Sequence, residues 1–246
     1  MTTQENHARG TASGRGGSGR RDDLAISRHR VPGKPWVYEM VIAHRLYREE
    51  FAALPRLVAT ATDRKRAALL RKHYDLLAFD LHHHHTFEDE HFWPVIAERE
   101  PLNAEIAHRM EAQHGRVAKL LAVLPGQWDA WQRTLDPARR AVLVENLTSL
   151  AKGLHEHLAD EEAHMLPIME RVLSVEEWKA FADYLLKALG MRKLMVTGGI
   201  AAEYATTEEL DEMVRDYTAS KVWAIRHVGI PRTRRYLRKL RAGAPA

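Results

Sequence analysis

The chain has 246 residues, 45% of them apolar, enough to bury the core of one ordinary domain with extensions. It contains no cysteine, which excludes disulfides, thiolate-bound zinc and Cys-ligated iron-sulfur clusters, so any metal must be held by nitrogen and oxygen. The net charge of +4 is unevenly spread: residues 1–35 hold seven Lys or Arg against three acids, residues 226–241 hold seven and no acid, and the middle carries about −7.

The opening T-A-S-G-R-G-G-S-G-R-R run has nothing to bury, so residues 1–34 are expected to form a disordered basic tail, closed by Pro32 and Pro35. From Trp36 onward apolar residues recur at spacings of three and four and strand-like alternation is scarce, which predicts an all-α protein. The first helix is read over about 36–60, with Val37, Met40, Val41, Tyr47 and Phe51 on one stripe around His44. A second covers about 64–98 and a third about 102–123, followed by a loop at P-G-Q-W-D-A-W. Asp136 as N-cap and Pro137 at the first helical position start a fourth, to about 172. Four such helices joined by short connections predict an antiparallel up-down four-helix bundle over residues 35–173. Ser174 with Glu177 begins a fifth helix that Gly190 is expected to end, and Thr206 with Glu209 begins another to about 228. Gly229 and Pro231 then break the chain before the basic end, so residues 174–246 form a C-terminal helical extension. No window approaches the ~20 apolar residues of a membrane span, and the N-terminus lacks an apolar run; the expectation is a cytoplasmic protein without membrane contact. The basic ends are expected to act as solubilising tails, with nucleic acid as the alternative partner.

Two segments of the chain match in register. From His84 the sequence reads H-H-T-F-E-D-E-H-F-W-P, and from His157 it reads H-L-A-D-E-E-A-H-M-L-P. Both place Glu at +4, an acid at +5, His at +7 and Pro at +10. His44 precedes His84 by 40 residues and His114 precedes His157 by 43, so each half reads as a helical hairpin with one His on its first helix and a His and a Glu on its second. On a helix the +4 position lies about 40° round and one turn along, so His84 converges with Glu88 and His157 with Glu161. The stripe behind His157 is Leu154, Leu150, Leu147 and Leu143, and around His114 it is Ile106, Met110, Val117 and Leu121, so these polar side chains point into the core. Buried carboxylates and imidazoles need a compensating charge, and a pair of metal ions supplies it where Lys and Arg are scarce. Imidazole with carboxylate suits iron, manganese or zinc. His83 and His85, rotated about 100° from His84, are expected to be flanking or solvated. His91 and His164 lie about 20° off the stripe and two turns along, as hydrogen-bonded core histidines, channel residues or extra ligands. His73 sits too far down the bundle to bind, and Tyr47 is a core aromatic or a hydrogen-bond donor to a small bound ligand.

His on the first helix, H-x-x-x-E on the second, His on the third and H-x-x-x-E on the fourth: this order resembles the hemerythrin-like family of HHE cation-binding domains, over about residues 36–172. The resemblance implies a non-haem di-iron centre inside a four-helix bundle, with His44, His84, His114 and His157 as terminal ligands and Glu88 and Glu161 as bridges. The sequence departs from the oxygen-carrying members, which have H-x-x-x-H on the third helix; here Ala118 stands four residues after His114 and Met110 four before. Their last ligand is an Asp at +5, where this chain offers Glu161 at +4 with Glu162 beside it. Six protein ligands instead of seven would leave more open positions on the metals, which argues against a reversible carrier and for O2, NO or peroxide chemistry there; the implied function is a di-iron protein that binds or senses one of these. A peroxide-decomposing enzyme or O2-dependent oxidase is the enzymatic alternative. Glu88 with His91 and Glu161 with His164 also form E-x-x-H pairs like those of ferritin-like iron-handling proteins, but no Glu on the first helix matches Glu111 on the third.

Overall fold

The computed structural model describes residues 24–242, which contain helices and no strand. The elements are α1 (Tyr38–Ala59), α2 (Arg64–Phe87), α3 (Trp93–Arg99), α4 (Ala104–Thr134), α5 (Pro137–Asp160), α6 (Leu166–Val172), α7 (Val175–Tyr204), α8 (Thr207–Met213), α9 (Ala219–Ala224) and α10 (Ile230–Arg241). Residues 1–23 of the expected basic tail lie outside the described residues. Residues 24–34 run without helix against the body: Ile26 is buried, Ser27 N–H donates to Glu170 Oε1 at 2.9 Å, and Trp36 Nε1 donates to the Arg28 carbonyl at 2.9 Å.

Helix starts follow the expected chemistry. Asp136 accepts from Arg139 N–H at 2.9 Å with Pro137 in the first turn, and Ser174 and Thr206 each make a reciprocal capping box, with Glu177 and Glu209. The expected loop after 123 is absent, because α4 continues through Pro125 to Thr134 and ends where Leu135 turns left-handed (φ 56°). Leu124, Trp128 and Trp131 extend the stripe of His114 and Val117, and all three are fully buried. Each indole buries on the order of 150–250 Å², and together they outweigh the roughly 3 kcal/mol that a Pro inside a helix costs.

Three π-helical turns, Glu88–Phe92, Glu161–Met165 and Ile225–Gly229, join α2 to α3, α5 to α6 and α9 to α10. In each case a proline follows at the same offset, Pro94, Pro167 and Pro231. Proline lacks an N–H and its ring clashes with the carbonyl four residues back; widening the preceding turn relieves both and lets the helix continue. Gly229 and Pro231 therefore do not break the chain. The extension breaks instead at 214–218, and Gly190, with a non-helical φ of 71°, ends the first run of α7 as expected, a second helical run following directly after the kink.

α1 packs on α5 and α2, and α4 packs on α5, α2 and α3. α7 lies across α1 and α2, and α10 lies on α7. That last approach needs Gly199, since a Cβ there would stand 2.5 Å from Thr233 Oγ1. The basic end is tied to the interior: Arg241 donates to Glu50 Oε1 at 2.6 Å, His73 Nε2 donates to Glu50 Oε2 at 2.9 Å, and Tyr236 O–H donates to His73 Nδ1 at 3.0 Å. Tyr204 completes the group by donating to Glu50. Burial pushes the Glu50 carboxyl up, but His73, Tyr204 and Arg241 more than offset this and hold it below the ordinary range.

Candidate metal centre

His44 on α1, His84 on α2, His114 on α4 and His157 on α5 are all buried, as are Glu88 and Glu161, each the first residue of a π turn. All six converge on one interior volume. Glu88 reaches His84 Nε2 with Oε1 at 3.2 Å and His114 Nε2 with Oε2 at 3.7 Å. Glu161 Oε2 lies 3.4 Å from His44 Nε2 and 3.5 Å from His157 Nε2. Each carboxylate thus spans one His from each hairpin, and the two carboxyls face one another.

The far sides of the rings fix how they present themselves. His44 Nδ1 is 3.0 Å from Glu162 Oε1, which Arg48 also holds at 2.7 Å, and His114 Nδ1 is 2.7 Å from Asp89 Oδ1. Arg109 grips the Asp160 carboxylate with two 2.8 Å bonds. Asp160 in turn accepts the Gln113 amide at 2.8 Å, which aims Gln113 Oε1 at His157 Nδ1, 2.9 Å away. These partners only accept, so each Nδ1 carries the proton and each Nε2 presents a lone pair inward. His114 Nε2 and His157 Nε2 stand 3.1 Å apart, two lone pairs facing each other.

That arrangement is unfavourable without a positive charge between the nitrogens. Nε2 of His44, His84 and His85 and all four oxygens of Glu88 and Glu161 are buried without a hydrogen-bond partner. Burial pushes the Glu88 carboxyl up to about 8 and that of Glu161 well above its ordinary range, and it pushes His84 down to about 4 and His157 well below. Protons would neutralise the carboxyls and leave the nitrogens unpaired; a hard or borderline divalent cation satisfies both donor types. The residues present fit such an ion.

The structure departs from the sequence reading around this core. His85, expected to be flanking or solvated, is buried in it, stacked on His114 at 3.9 Å and edge-on to His157 at 5.0 Å. A ring nitrogen from each of His85, His114 and His157 lies within 4.8 Å of the other two. A cluster reached from several helices is wider than one helical stripe, so neighbours 100° apart can both border it. His83 does lie to the side, bonded to Tyr184 O–H at 3.1 Å. His91 and His164 are exposed, because the π turn inserts a residue and rotates everything beyond it off the inward-facing stripe. The E-x-x-H pairs therefore do not converge, and Glu111 is exposed as well. Tyr47 is buried with its ring 5.3 Å from His84, but its hydroxyl bonds Asp80, which also bonds Thr197 of α7. His73 belongs to the Glu50 group. The residues that sequence reasoning passed over are Asp89, Glu162 and Gln113. Asp89 and Glu162 are the +5 acids of the repeat, and each holds the lone His of the other hairpin.

Helices make up the body of the described residues, and their interior gathers imidazoles and carboxylates in a set that fits a cation. The family follows from comparison: the Hemerythrin HHE cation binding domain matches residues 37–169, and the chain belongs to that family. Neither the curated proteins nor the solved structures gave a match.

Proposed function

We propose that α1, α2 with α3, α4, and α5 with α6 form an antiparallel up-down four-helix bundle, residues 35–173, that holds two iron ions bridged by Glu88 and Glu161. His44 and His84 serve one ion, and His114 and His157 the other. The centre binds or senses O2, NO or peroxide. One observation carries this reading: Glu88 directs Oε1 to His84 and Oε2 to His114, so a single carboxylate faces two separate nitrogen groups, as a bridge between two ions must. Iron held by nitrogen and carboxylate in this way supplies reversible electron transfer to a small ligand.

The chain's own residues do the rest. Glu162, Asp89 and Gln113 hold the proton on Nδ1 of three ligand rings and so keep their Nε2 atoms free to bind. Tyr47, Phe181 and Trp93 wall the cluster with rings 5.3, 5.2 and 6.0 Å from the nearest imidazole, excluding bulk water. With every cluster residue buried, the reading favours a diatomic or peroxide over an organic substrate.

The test is metal analysis with optical spectra under O2, NO and peroxide. The expected result is two iron ions per chain and a spectrum that changes when the small ligand is admitted. Protein that holds less than one metal ion per chain and folds unchanged without it refutes the reading; turnover of peroxide that is lost in His84→Ala moves it from sensor to enzyme.

A further inference from the structure

The nitrogens of the cluster divide unequally. His44 and His84 form one group, their ring centroids 5.8 Å apart, and His85, His114 and His157 form the other. Glu88 and Glu161 each touch one member of each group. α4 offers no second nitrogen beside His114, since Met110 is a buried thioether and Ala118 is exposed. α2 offers one instead. His85 Nε2 is buried, lacks a hydrogen-bond partner, and belongs to a ring packed on both His114 and His157.

Resting on the two-ion reading, we infer that His85 is a fifth histidine ligand, binding the same ion as His114 and His157. Nitrogens sharing an ion at about 2.1 Å lie about 3 to 4 Å apart. His114 and His157 already meet this at 3.1 Å, and His85 lies within 4.8 Å. Its ring is parallel to His114, with an interplanar angle of 8°, and parallel planes share no ion. Ligation therefore requires the His85 ring to tilt about its Cβ–Cγ bond, and no hydrogen bond at Nε2 opposes that rotation. The two ions become inequivalent, one with three imidazoles and the other with two. This returns to the site, from a different helix, the nitrogen that α4 lacks.

The experiment is an anaerobic ferrous-iron titration of the full chain, with helicity checked by circular dichroism. His85→Phe keeps a ring on His114 but has no donor atom, and His85→Ala leaves a hole that added imidazole can fill. The expected result is two ions in the wild type, and in both variants one ion at wild-type affinity with the other weakened at least ~10-fold. Imidazole should restore the second ion in His85→Ala. Two ions at wild-type affinity in His85→Phe, or a loss in His85→Ala that imidazole leaves unchanged, overturns the assignment. A wild type that never takes two ions refutes the underlying two-ion reading instead. Proton NMR of the loaded wild type needs no variant: hyperfine-shifted signals from five imidazole N–H groups support His85 ligation, and signals from only four overturn it.

Discussion

Replacing Glu88 with Gln should make the metal-free protein more stable while disabling its site. Burial is the largest influence on this carboxyl, offset in part by His114, and it raises the group to about 8. The unfolded chain releases the same proton near 4.5, so between about pH 4.5 and 8 the folded form holds one proton more. Stability present below 4.5 is then lost as pH rises, at about 1.4 kcal/mol per pH unit, which reaches about 3 kcal/mol at pH 7. Gln fills nearly the same volume and does not ionise. Metal-free Glu88→Gln should therefore exceed metal-free wild type by about 3 kcal/mol at pH 7 and match it near pH 4.5. His84, lowered by burial to about 4, acts in the opposite sense, and its contribution is lost as pH falls from 6.5. It is common to both proteins and cancels in the comparison. The assay is urea unfolding in the presence of chelator from pH 5 to 8. With iron added the order should invert, because ions that bind only the folded wild type stabilise it by mass action. A Glu88→Gln protein that is less stable than wild type without metal, or that shows the same pH slope, refutes the claim that the carboxylate is strained for want of a cation.

Asp89→Asn and Glu162→Gln should each weaken iron binding about 10- to 100-fold in chelator competition, since each carboxylate fixes the ring of a ligand on the other hairpin. Trp128→Ala should destabilise by about 3–5 kcal/mol in denaturant unfolding and, being on the far run of α4, leave iron stoichiometry unchanged. His73→Leu strips Glu50 of a buried partner while Tyr204 and Arg241 remain, and should cost on the order of 3 kcal/mol in thermal unfolding, again with iron retained.

The repeat made the core of the site legible because two copies in register fix a helical phase that one copy leaves open. His44, His84, His114, His157, Glu88 and Glu161 all face inward as their spacing predicts. Single-helix geometry failed where the answer depended on what lies opposite. His85 is inside because rings from α4 and α5 reach its side of α2, and no property of the H-H-H-H run carries that information. His91 and His164 were misplaced for a different reason. The prolines at +10 were visible, but their consequence is a widened turn that begins at Glu88 and at Glu161, and a uniform helical repeat cannot represent it. Pro125 carries no such turn and misled in the other direction, since its surroundings read as a loop until the burial of two tryptophans decides for helix.

The extension also changes meaning once its neighbours are known. The two hairpins are matched in sequence, yet α7 packs mainly against the helices of the first, α1 and α2. It sets Phe181 against His84 at 5.2 Å and brings Thr197 to Asp80, which Tyr47 also bonds. The His114 side has no counterpart of α7; Trp93 and the Arg109, Asp160 and Gln113 chain serve there. A site built from a symmetric repeat is thus enclosed asymmetrically, by Phe181, Tyr47 and the buried Asp80 beside His84, and by the Arg109, Asp160 and Gln113 chain beside His157. The electrostatic setting of the two halves differs even where their inward-facing residues match. Because Arg241 and Tyr236 anchor α10 to the buried Glu50 and His73, and α10 backs α7, the basic end reaches the His84 wall through packed contacts. That gives the acidic body and the basic end a structural connection in place of two independent charges.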